Sequence, residues 1–173
     1  MRARSLAWIS LVIGCTVSLV RCAAPQPPLT RVVSDPAKRF SITLPADWEV
    51  LSNISGGPVS IVNARSAPNG PTIQVIASDP TAADLGAVTL ATIRQLPGFV
   101  LVREGETVVA GRNAHYLNST WGIGQPRYFD MHIILHAGVM AFSIGSDMVD
   151  DPRHLKEEVA LVNRIINTLQ SPP

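Results

Sequence analysis

Much of the chain alternates apolar with polar residues, which is the two-residue period of strands. Phe40, Ile42 and Leu44 alternate with Ser41 and Thr43, and Pro45 stops the run. Trp48-Glu49-Val50-Leu51 follows Ala46-Asp47 and reads as the second arm of a hairpin with it. Gly56-Gly57-Pro58 turns the chain into Val59–Ala64, and Pro68-Asn69-Gly70-Pro71 turns it into Thr72–Ala77. Short strands joined by tight turns predict antiparallel pairing. The period then changes. Asp79-Pro80 has the form of a helix start, and Leu85, Val88, Thr92 and Leu96 follow at helical spacing until Pro97-Gly98. Further strand-like runs are Phe99–Arg103, Glu106–Ala110, Asn113–Thr120, Arg127–His136 and Val139–Gly145, with turns at Gly111-Arg112 and Ala137-Gly138. After Asp151-Pro152, the positions Leu155, Val159, Val162, Ile166 and Leu169 mark one face of a second helix. The order is strands, helix, strands, helix, an α+β layout in which each helix buries one face against a sheet.

The amino terminus is organised differently. Met1–Arg4 carries two Arg, and Ser5–Val20 then runs without a charge. A basic start followed by a short apolar stretch is the layout of an export signal. The stretch is short for a membrane-spanning helix, although an uncleaved anchor is an alternative. Val12-Ile13-Gly14-Cys15 resembles a bacterial lipobox, which makes Cys15 the first candidate for lipidation. Cys22 is the alternative, with Arg21 a poor fit in front of it, and ordinary cleavage near Cys22-Ala23-Ala24 is a third. An acyl chain contributes ~0.8 kcal/mol of membrane affinity per buried CH₂, so the choice separates an anchored from a soluble protein. Pro25, Pro27 and Pro28 then suggest a stiff spacer. The expected organisation is a signal peptide at 1–22, a linker at 23–30 and one domain at 31–173.

Several segments in this order resemble one family: Phe40–Trp48, Pro71–Val75, Leu96-Pro97-Gly98-Phe99, Gly111–Tyr116 and Val139–Ile144 leading to Asp150-Asp151. They resemble the LpqN/LpqT-type envelope lipoproteins of mycobacteria and relatives, within the PsbP-like superfamily named for an extrinsic photosystem subunit. The resemblance spans roughly Arg39 to Gln170. It implies an α/β/α sandwich with a central antiparallel sheet and two main helices. It also implies an exported, usually lipidated, accessory or binding protein. It offers no catalytic motif.

Composition sharpens the address. The chain has 173 residues with a formal net charge of +1. Taking the three Arg of residues 1–22 from the fourteen bases leaves eleven against thirteen acids, a net −2. A mildly acidic domain is unsuited to nucleic acid. Both Cys lie at or before residue 22, so the domain needs no disulfide.

Candidate chemistry is sparse. His132 and His136 would share a helix face, but on a strand their rings stand ~13 Å apart, too far for one ion. His115, His132 or His136 as a base would make a secreted hydrolase, yet there is no Gly-x-Ser-x-Gly elbow. Asp147, Asp150 and Asp151 cluster before the last helix, where Asp151 serves the helix start. Gly122-Ile123-Gly124 reads as a loop. Trp48 reads as a core aromatic. Trp121, Tyr128 and Phe129 flank the loop Gly122–Arg127, and aromatics beside such a loop can line a binding surface. Trp121, Tyr128, Phe129 and His132 are therefore the candidate binding residues, with no metal or cofactor expected. The expected partner is an envelope protein or a small apolar ligand. The favoured reading is a non-enzymatic binding module, with the hydrolase and a structural envelope-assembly factor as alternatives.

Overall fold

A computed structural model describes residues 25–171, apart from 69, 80–84, 125 and 138–139. Cys15 and Cys22 lie outside the described residues, as does the Pro80 helix start. Nine strands are described: β1 (Leu29–Ser34), β2 (Ser41–Pro45), β3 (Glu49–Gly56), β4 (Val59–Arg65), β5 (Thr72–Ser78), β6 (Val100–Val109), β7 (Arg112–Trp121), β8 (Tyr128–Ala137) and β9 (Met140–Val149). Helices α1 (Leu85–Ile93) and α2 (Leu155–Ile166) follow β5 and β9. Strands β3 to β9 form one seven-stranded antiparallel sheet in the order β3-β4-β5-β9-β8-β7-β6. The two short strands β1 and β2 make a separate antiparallel pair.

The two faces of the large sheet differ in chemistry. One face presents Val62, Ala64, Ile73, Val75, Met131, Ile133, Leu135, Phe142 and Ile144, all buried. Phe40, Ile42 and Leu44 of the β1–β2 pair cover it, with Phe40 edge-on to Phe142 at 5.8 Å. Val162, Ile165 and Ile166 of α2 complete this core, as does Trp48, which is 2% exposed. On the opposite face, where α1 lies, the buried positions are Ser78, Leu117, Ser119, Asp130, Ala141 and Ser143. Four of these six are polar, so the main hydrophobic core is one-sided. Ser143 Oγ donates to Thr89 Oγ1 of α1 at 3.3 Å.

Several expectations are corrected. β2 and Trp48–Leu51 are not two arms of one hairpin: β2 pairs with β1, and β3 pairs with β4. The turn at Pro45–Trp48, closed by Trp48 N donating to the Pro45 carbonyl, carries the chain between sheets. Phe99–Arg103 and Glu106–Ala110 are not separate strands. They are one strand, β6, interrupted by a bulge between Leu101 and Arg103 that absorbs an extra residue. The stripe expected on α1 is displaced. Val88 is 60% exposed, while Gly86 and Ile93 are buried with Thr89 and Leu90 between them. Asp151 does not cap α2; the helix starts after His154, and Asp151 instead accepts from Arg153 and pairs with its guanidinium.

The proline-rich segment touches the domain. Arg164 donates to Gln26 Oε1 and to the Pro27 carbonyl, Gln26 Nε2 donates to the Glu157 carbonyl, and β1 already begins at Leu29. Among the described residues no helix is long and apolar enough to cross a membrane.

Candidate functional site

Register places the candidate residues in transverse rows across β7, β8 and β9, because residues paired directly across strands share a face. One row is Trp121–Tyr128–Val149, the next is Ser119–Asp130–Asp147, and the next is Leu117–His132–Gly145. All three project from the face that carries α1. Trp121, Tyr128 and His132 are therefore brought together. Phe129 is not: alternation turns it to the opposite face, beside Met148, where it packs against the main core.

Trp121 and Tyr128 stack with ring centroids 4.6 Å apart and planes 22° apart. Both are half-buried. The loop after Trp121 is held by Gly122 N donating to the Pro97 carbonyl at 2.8 Å. At Gly98, φ is +68°, and a β-carbon there would lie 2.5 Å from the Gly122 carbonyl oxygen. Only glycine fits that approach. Tyr128 also walls an open recess of about 480 Å³ shared with Pro68, Thr72, Pro126, Asp147 and Val149.

Below the aromatic pair the surface turns polar. His132 Nε2 lies 2.7 Å from Asp130 Oδ2, and Asp130 is 1% exposed. The imidazole lies over the backbone of Gly145, where a β-carbon would stand 3.0 Å from its Cε1. Partial loss of its surrounding water raises the Asp147 carboxyl above the ordinary carboxylate range, and the negative charge of Asp130 acts the same way. His132 and the Trp121 indole N–H act in the opposite sense. Sequence reasoning missed Ser119, Asp130 and Asp147 as members of this group. Alternation alone placed Asp130 beside His132, but the cross-strand register that adds Ser119 and Asp147 has no sequence signature.

The other histidines stand apart. His115 contacts Glu106 Oε1 at 3.1 Å and Glu104 Oε1 at 3.0 Å on β6, which raise its pKa with partial burial opposing. His136 is exposed. Among the described residues the hydrogen bonds of the histidine rings run to Glu104, Glu106 and Asp130. The described residues hold no cluster of three or more His, Cys, Asp or Glu side chains that could hold a metal ion.

No family model matches the chain, and no curated protein matches it. Solved structures do. LpqN of Mycobacterium tuberculosis, a protein involved in cell envelope biogenesis, is similar at 18% identity and a TM-score of 0.56. That match covers 83% of this chain and 90% of LpqN. Cyanobacterial PsbP from Synechocystis is similar at 14% identity and a TM-score of 0.61, over 89% of this chain and 99% of that one. The Ran-binding protein Mog1p of Saccharomyces cerevisiae is similar at 9% identity and a TM-score of 0.53, over 83% and 96% of the two chains. The α+β architecture is thus the PsbP-like fold, as the sequence resemblance implied. At these identities the likeness extends to the fold alone.

Proposed function

We propose that this chain is an exported, lipid-anchored binding module of the bacterial cell envelope, without catalytic activity of its own. The observation that carries the reading is the Trp121–Tyr128 stack beside an open recess. Stacked aromatics at the lip of a recess offer rigid apolar area at low entropic cost. The leader of residues 1–22 supports export, and the lipobox-like Val12–Cys15 supports anchoring through Cys15, with Cys22 as the alternative. The fold shared with LpqN is consistent with an accessory role in the envelope. The partner would be an envelope protein or a small ligand with an apolar body.

Two measurements test this. Mass spectrometry of the native N-terminus should find an acylated cysteine; an unacylated mature end would remove the anchor. The natively processed protein should bind a neutral apolar dye such as N-phenylnaphthylamine. Trp121→Ala and Tyr128→Ala should each weaken that binding about tenfold, with the urea midpoint retained as the check on folding. Unchanged dye affinity in both variants would exclude this surface.

A further inference from the structure

We infer that the polar rows beside the Trp121–Tyr128 stack recognise an organic cation: a protonated amine carried on an apolar body. The inference rests on the binding-module reading and names the ligand class of that site.

Two buried acids of this fold are provided for very differently. Asp35 is 1% exposed and is fully provided for: Ala37 N, Phe40 N and Ser60 Oγ donate to it at 2.7 to 3.0 Å. Asp130 is equally buried, yet among the described residues its one hydrogen-bond partner is His132, and Oδ1 has none. A buried carboxylate oxygen without a donor is costly, and native proteins rarely leave one.

Other unpartnered polar atoms gather beside Asp130. Among the described residues, Ser119 Oγ and His132 Nδ1 are also buried without partners, within the same three rows. Asp147, across the sheet from Asp130, adds a second carboxylate at the exposed end of its row. Among the described residues no Lys or Arg hydrogen-bonds to either acid. The group therefore holds an unpartnered carboxylate oxygen and two acidic side chains against one histidine. An ammonium group, with three N–H donors and one positive charge, matches it.

The aromatic walls suit a cation as well. The faces of Trp and Tyr rings attract cations, and here such a pair stands one row from the two carboxylates. The recess of about 480 Å³ beside Tyr128 and Asp147 has room for an apolar body. A divalent metal fits less well. It takes six or more oxygen ligands or a closed set of His and carboxylate groups, and no three-ligand cluster is present among the described residues.

The experiment is calorimetric titration of the natively processed protein with phenethylammonium chloride. Phenethyl alcohol, the neutral isostere, and phenylacetate, the anion, serve as comparison ligands. The amine should bind saturably and at least about tenfold more tightly than either. Asp147→Asn, at the exposed end of the row, should lower amine affinity about tenfold while leaving alcohol binding unchanged. Equal affinity for amine and alcohol would overturn the cation site and leave the apolar module standing. No binding of any of the three, with dye binding intact, would overturn it as well. So would an Asp147-dependent calcium site that the amine cannot compete for. Asp130→Asn is the second variant; if it fails to fold, Asp147→Asn still decides.

Discussion

A β-carbon at position 145 would stand 3.0 Å from Cε1 and 3.3 Å from Nδ1 of His132. The imidazole can lie flat over β9 only because that position has no side chain. Gly145→Ala should therefore push the ring off its 2.7 Å bond to Asp130 and destabilise the fold by about 1–3 kcal/mol, read from urea denaturation. A shift of the His132 imidazole nitrogen resonances would confirm the cause, and an unchanged spectrum would refute it. His115 supplies a pH signature. Glu106 first, and Glu104 after it, hold its pKa above 6.5, with partial burial opposing. A raised histidine contributes stability that is complete below its unfolded pKa and is lost as pH rises through the folded value. The ring is 32% exposed, so screening limits the effect to about 0.2–1 kcal/mol. Wild type should lose that much more stability than His115→Asn between about pH 5.5 and pH 8.5; equal losses would exclude the ion pairs as a contributor. Neither feature was legible from the residues alone. The contact of Gly145 with His132, and of His115 with Glu106, joins positions on different strands.

The two helices differ in how openly the sequence announced them. In α2 the spacing of Leu155, Val159, Val162 and Ile166 matches the buried face, to which the structure adds Ile165. Ile165→Ala should cost about 2–5 kcal/mol in chemical denaturation, because the side chain is fully buried in the core. In α1 the larger apolar residues are poor guides. Val88 points to solvent, and Gly86 is buried where the helix approaches the sheet. Val88→Ala should accordingly change stability by no more than about 0.5 kcal/mol; a loss near the Ile165→Ala value would restore the expected stripe. A small residue on the inner face carries no hydrophobic signal, so periodicity slipped by one position. The same logic explains β6. Glu104-Gly105, between the two expected runs, carries no apolar side chain, and one edge strand looked like two.

On the scale of the whole molecule the decisive feature is the inequality of the two sheet faces. One is closed by β1, β2 and α2 around an apolar core, while the other, which carries the short helix α1, keeps Ser119, Asp130 and Ser143 buried. The amino-terminal edge belongs to the closed side. A chain starting at Arg31 should be less stable than one starting at Ala23 by about 1–2 kcal/mol in thermal or urea unfolding. It lacks half-buried Leu29 and the contacts of Gln26 and Pro27 with α2. Equal stability would make residues 25–30 a free spacer after all. Local periodicity and turn residues were enough to read the strand and helix types, the antiparallel class, the core helix α2 and the alternation of β8. The pairing of β2 with β1, the turn of Phe129 away from Trp121 and Tyr128, and the single row of Ser119, Asp130 and Asp147 emerge in the folded sheet. Those outcomes depend on strand register and on which element covers which face, and these are set by burial across the whole sheet rather than by any stretch of neighbouring residues.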